Sequence, residues 1–116
     1  MMLALLIDAE PFSQVVFVHD YIQMRFQELG LTIWNSMTLE MDGKVFSRGT
    51  LGFCDMLCSL IEQRVADVSF VEGVSAAIVF QHGIVVTIGL GTEDAKGPEA
   101  FILADTTGLV IVEQNV

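Results

Sequence analysis

The sequence predicts an α+β domain: a mainly antiparallel sheet made of two β-meander halves that flank and pack on one central amphipathic helix at about residues 51–65. Three observations carry this. Helical periodicity of apolar residues is confined to Gly49–Val65, the segments on either side alternate with the period of strands, and Gly- or Asp-containing turn signals punctuate those segments. At 116 residues the chain is one ordinary domain, 1–116, able to bury a single core.

Residues 2–7 are apolar and read either as a short strand or as an arm packed on another subunit, with Pro11 separating them from the first long strand pattern. Gln14–Val18 and Tyr21–Phe26 are rich in β-branched and aromatic residues and predict two strands turning at His19-Asp20. Beyond a turn at Glu28-Leu29-Gly30, the residues Leu31, Ile33, Asn35, Met37, Leu39 and Met41 alternate with polar neighbours. That is a long strand facing the core on one side, with a break near Asn35-Ser36.

Asp42-Gly43 predicts a type I′ hairpin, which needs positive φ at both central positions, and Lys44–Ser47 returns from it. On a helical wheel centred at Phe53, the residues Leu57, Leu60, Ile61, Cys54, Cys58, Val65 and Leu51 join it on about half of the circumference. Thr50 suits the N-cap and Asp55 the first turn. Strand patterns resume at 65–71, 75–80 and 84–90; a polar loop fills 91–100, and 101–104 with 109–112 make a terminal hairpin before a frayed end from Glu113. Gln23–Phe26 followed by Gly30–Ile33 also echoes Ala77–Phe80 followed by Gly83 and Val86–Ile88, an echo that either an equivalent hairpin in each half or generic strand patterning produces.

Apolar residues make up 53% of the chain, more than one small core consumes, and the excess points to subunit contacts and a homo-oligomer. Fifteen acidic residues against five basic ones give a net charge of −10, with no two basic residues adjacent. Nucleic acid is therefore not an expected partner, whereas a basic protein surface is. No apolar run reaches the roughly 18 residues of a membrane span, and Met1–Ile7 has neither the positive start nor the cleavage site of a signal peptide. With two cysteines and no disulfide framework, the expected setting is cytoplasmic.

The chemistry-bearing residues are few. Cys54, near the start of the helix, could serve as a nucleophile with His19 or His82 as base. Its place with Cys58 in the apolar arc favours packed, inert thiols instead. No metal site is expected, since two cysteines are half of a zinc site and Glu93, Asp94 and Glu99 lack the spacing of a calcium loop. Gly89-Leu90-Gly91 has no third glycine and no following helix, so no nucleotide cofactor is expected and the pair ends a strand. Trp34 falls on the face opposite Ile33 and Met37, where either a second layer of this chain or another subunit covers it.

Phe17–Phe26 with Gly30–Ile33, then Val65–Val68 with Ile78–Phe80 and Gly83, resembles small acidic bacterial domains of unknown role, some of them similar to immunity proteins of toxin systems. The resemblance implies binding and assigns no functional residue. The functional expectation is a non-enzymatic, self-associating or protein-binding domain with an acidic surface. The alternatives are a small hydrolase using Cys54 with a histidine, and a binder of small apolar ligands lined by Met24, Phe26, Phe53 and Leu57.

Overall fold

The computed structural model describes residues 2–115 and contains ten antiparallel strands in two five-stranded sheets. The strands are β1 (Gln14–Val18), β2 (Tyr21–Phe26), β3 (Leu29–Ile33), β4 (Met37–Met41), β5 (Lys44–Ser47), β6 (Val65–Val71), β7 (Ser75–Phe80), β8 (Val85–Gly89), β9 (Glu99–Ala104) and β10 (Val110–Gln114). The first sheet runs β1-β2-β3-β9-β10 and the second β5-β4-β8-β7-β6. Their inner faces share one core, to which Met24, Phe26, Leu31, Leu39, Ile78, Phe80, Val86 and Leu103 each contribute a closed side chain.

The two halves of the chain follow one path. In each, a three-stranded meander (β1-β2-β3, β6-β7-β8) crosses into the opposite sheet, and the following hairpin (β4-β5, β9-β10) pairs with the third strand of the other meander. The registers align residue by residue: Met24 opposes Leu31 as Ile78 opposes Val86, and Thr32 opposes Ile102 as Thr87 opposes Thr38. The echo in the sequence is thus one part of a repeat that covers all ten strands.

Local chemistry sets the turns. Asp42 and Gly43 have φ of 52° and 81°, the pair of positive values that a type I′ turn requires. In the last hairpin, Asp105 Oδ1 accepts hydrogen bonds from Thr107 N at 2.9 Å, Thr107 Oγ1 at 2.7 Å and Leu109 N at 3.0 Å, which closes the loop between β9 and β10. The turn after β2 lies at Gln27-Glu28 rather than Glu28–Gly30, because Gln27 takes a φ of 61° and Leu29 already pairs with Phe26.

The helix departs most from expectation. Helix α1 spans Phe53–Cys58, not 51–65, and joins the two halves instead of lying centrally between them. Gly52, not Thr50, is its N-cap; Thr50 bonds back to Ser47. Past Cys58 the chain tightens into turns, with Leu60 N to Leu57 O at 3.1 Å, and then takes partners elsewhere: Glu62 N donates to Phe12 O at 2.6 Å and Phe12 N to Gln63 O at 2.9 Å. These two bonds replace helical ones and fix Phe12 in the core against Phe26 and Phe80. Between Leu51 and the start of β6 at the buried Val65, only Phe53, Leu57 and Leu60 are buried; Leu51 is 98% exposed, and Cys54, Cys58 and Ile61 also face solvent. The apolar arc centres on Phe53, so the cysteines lie on its open flank rather than in the core.

Residues Met2–Leu6 form a 3-10 helix, not a strand or a free arm, since Leu3 and Leu6, three apart and so aligned on one side, are both buried. The part of that expectation that touches Met1 lies outside the described residues. At the other end β10 continues through Gln114 and Asn115 is hydrogen-bonded, so the expected fraying is not seen over 113–115, and its part at Val116 lies outside the described residues. Asn35 and Asn115 exchange side-chain amide bonds at 2.8 and 3.0 Å, Asn35 Nδ2 also donates to Gly89 O at 2.9 Å, and Asn115 Nδ2 to Gly97 O at 2.7 Å. Asn35 is the one buried polar side chain among the described residues and sits where β3 leaves its sheet.

Candidate functional site

That sheet change opens a cleft of about 570 Å³, lined by the β1–β2 turn, the β3–β4 corner, the end of β5 and the loop before β9. Ile22, Ile33 and Met37, buried ends of core-facing strands, make its floor. Tyr21 and Trp34 stand on one wall with ring centroids 5.9 Å apart and planes at 51°. Both are half-buried, so Trp34 is covered in part by this chain's own tyrosine. Ser36, Thr38 and Ser47 add hydroxyls, and Arg48 and Lys96 reach the cleft from the end of β5 and the loop.

Arg48 is anchored by Nη1 donating to Tyr21 O at 3.1 Å. His19 Nδ1 lies 3.7 Å from Asp20 Oδ1, with both side chains largely exposed. Asp20 is the sole carboxylate among the lining residues, whereas two of the chain's five Lys and Arg side chains are there. Among the described residues neither Arg48 nor Lys96 forms an ion pair.

The repeat supplies an internal comparison. Register places Gly89 of the second half where the first half has Trp34, and Gly89 N donates to Ser36 O as Trp34 N donates to Ala100 O. At that second corner the carboxyl group of Asp94 occupies the space a Cβ on Gly89 would need, while its Oδ2 accepts from Gly91 N at 3.2 Å. Gly89 therefore ends a strand, as expected, and gives room for a loop that fills the second corner. The open cleft forms only at the first half's corner, with Lys96 of the second half at its edge.

The outer faces differ just as sharply. One row across the first sheet reads Val16, Gln23, Thr32, Ile102, Val112; the equivalent row of the second reads Ser69, Ala77, Thr87, Thr38, Ser47. The adjacent rows read Gln14, Arg25, Gly30, Ala104, Val110 and Asp67, Val79, Val85, Glu40, Val45. At three of these positions serine or threonine of the second sheet is matched by an aliphatic side chain of the first, and neither Asp67 nor Glu40 is matched by a carboxylate; in return Ala77 and Val79 are matched by Gln23 and Arg25. Arg25 is the only charged residue of the first sheet's two rows and folds over Gly30, where a Cβ would come within 2.8 Å of its Nη1.

Cys54 and Cys58 are free and exposed on α1 and do not line the corner cleft, whereas His19 lines it and His82 sits in the exposed β7–β8 turn. Met24, Phe53 and Leu57 are closed in the core, and Phe26, also buried, lines a separate cleft with Leu5, Ala9 and Leu109. Among the described residues no three His, Cys, Asp or Glu side chains form a metal-capable group, and no helix is long and apolar enough to cross a membrane. Sequence reading singled out His19, Asp20 and Trp34 separately and missed Arg48 and Lys96. Their rarity as basic residues in an acidic chain was the available signal. No protein-family model, curated protein or solved structure matches this chain.

Proposed function

We propose that the protein is a non-enzymatic binding domain that self-associates through the outer face of its first sheet and presents an acidic surface to a basic protein partner. One observation carries the reading: at equivalent positions of the two sheets, Ser69, Thr38 and Ser47 become Val16, Ile102 and Val112, and Asp67 and Glu40 become Gln14 and Ala104. Solubility alone gives no reason for a chain with fifteen carboxylates to keep them off the first sheet's two rows while placing Asp67 and Glu40 on the equivalent ones.

Five strands about 4.8 Å apart and five residues long make a face of roughly 400 Å², so a two-fold pair buries on the order of 800 Å², the size of a small and weak interface. A second copy also fits the charge pattern, because it brings equally carboxylate-free rows and leaves the acidic groups of both copies in water. Those groups then attract a basic partner at long range. Sedimentation velocity from 1 to about 200 μM tests the association: a rise toward the dimer's sedimentation coefficient supports it, and an unchanged monomer across the range contradicts it. The hydrolase alternative has weaker support, since His19 lines the corner cleft and Cys54 does not.

A further inference from the structure

We infer that the corner cleft is a binding site for a small ligand with a planar aromatic body and one anionic head, either a carboxylate or a phosphate. The inference stands on side chains at the cleft and does not depend on self-association.

The cleft falls in the size range of small-molecule sites and has their composition, an apolar floor with a few convergent polar groups. Ile22, Ile33 and Met37 offer the floor, and the tilted Tyr21–Trp34 pair offers ring faces and edges against which a flat ligand gains dispersion and quadrupole contacts. Charge selects the head group. Asp20 is adjacent to His19, while Arg48 is held by a backbone carbonyl that uses one Nη1 donor and leaves the other guanidinium donors for a ligand. A carboxylate or phosphate can accept paired hydrogen bonds from such a fork, with Lys96 as a mobile second cation at the rim. In a chain of net charge −10, an anion would be repelled from most of the surface, so local cations and ring contacts together must define where it settles.

The second half shows what the same corner looks like without this role. Glycine replaces the tryptophan and an aspartate fills the space, and Ala100 stands where Ser36 does. One corner is open, aromatic and cationic; its equivalent is packed and carries a carboxylate.

Trp34 is the only tryptophan, so its indole Nε1–H gives one assignable signal in a ¹H–¹⁵N spectrum of the full chain. The probes are 2-naphthoate and 2-naphthyl phosphate, with the neutral 2-naphthamide and the non-aromatic cyclohexanecarboxylate as comparisons. At least one naphthyl anion is expected to shift the indole signal saturably at sub-millimolar concentration, and the stronger of the two identifies the head group. The amide and the cyclohexyl acid should bind at least about tenfold more weakly, and Arg48→Ala should weaken the anion at least about fivefold, as expected for losing a charge-assisted bond at an exposed rim. Lys44→Ala, remote from the cleft, should change nothing. No saturable shift with either naphthyl anion, equal binding of the amide, or unchanged affinity in the Arg48→Ala variant would each overturn the inference. An unperturbed spectrum of the free variant shows that it is folded, and sedimentation of the same samples reports self-association separately.

Discussion

Phe26 and Phe80, the last residues of β2 and β7, stack with ring centroids 6.3 Å apart and planes 19° from parallel. They are equivalent positions of the two halves, so the repeat meets itself at its own core, and Phe12 closes over both rings at 5.3 and 6.0 Å. Each ring is fully buried, so Phe26→Ala and Phe80→Ala should each destabilise the domain by about 3–5 kcal/mol. Urea denaturation measures this directly. The two losses should be similar in size and fail to add in the double variant, because each removes the other's contact.

The Asn35–Asn115 pair predicts how the chain end is tied to the sheet change. Asn35→Leu leaves Asn115 without its amide partner and deprives Gly89 O of a donor, a loss of about 2–3 kcal/mol; Asn115→Ala should lose about 1–2 kcal/mol. A double-mutant cycle in urea should find positive coupling between the two, and hydrogen exchange at residues 110–114 should quicken in both variants.

Asp105 predicts a pH response. The hydroxyl of Thr107 is the strongest influence holding its carboxyl below the ordinary aspartate value, burial opposes this, and backbone bonds from Leu109 and Thr107 add to the lowering. A lowered folded-state value means that this carboxylate's contribution to stability is complete above the unfolded aspartate range and is lost as pH falls through the folded value. Thr107→Val should raise the Asp105 titration midpoint followed by carboxyl-carbon NMR, and should reduce stability at neutral pH relative to stability at acid pH.

Cys54 and Cys58 should both react with an aromatic disulfide reagent in the native protein, two thiols per chain, at rates close to those of an exposed peptide thiol. Substituting serine at either should change stability by less than about 0.5 kcal/mol, as for other exposed sites. Slow labelling limited by unfolding would place the thiols inside.

Features were legible in the sequence to the extent that each is determined locally. Asp42-Gly43 specifies its own turn, and the alternation in Tyr21–Phe26 and Ser75–Phe80 shows which side chains point inward without reference to any partner. The change of sheet at Asn35 was only half legible: alternation runs unbroken from Leu31 to Leu39, so the pattern marks the buried side of a strand but not which sheet it belongs to. The pairings β3–β9 and β4–β8, which make two sheets out of two meanders, join residues roughly 50 to 70 positions apart and have no local signature. The helix was overextended because Cys and Ile count as apolar wherever they sit, and because Phe12, far away in sequence, takes the backbone bonds of Glu62 and Gln63. The cleft was illegible for the same reason, since Arg48 and Lys96 meet Trp34 only after both halves have exchanged hairpins.

The most direct measurement of the central claim is light scattering at about 100 μM on three proteins: the parent chain, Val110→Glu/Val112→Glu on the first sheet, and Ser69→Glu on the second. Val110 and Val112 are 60% and 43% exposed on an edge strand, so the fold should tolerate the change, and circular dichroism checks that it does. The account predicts a dimeric parent, a monomeric Val110→Glu/Val112→Glu variant and a dimeric Ser69→Glu variant. A parent that is monomeric, or a dimer that survives carboxylates at Val110 and Val112 but not at Ser69, would contradict it.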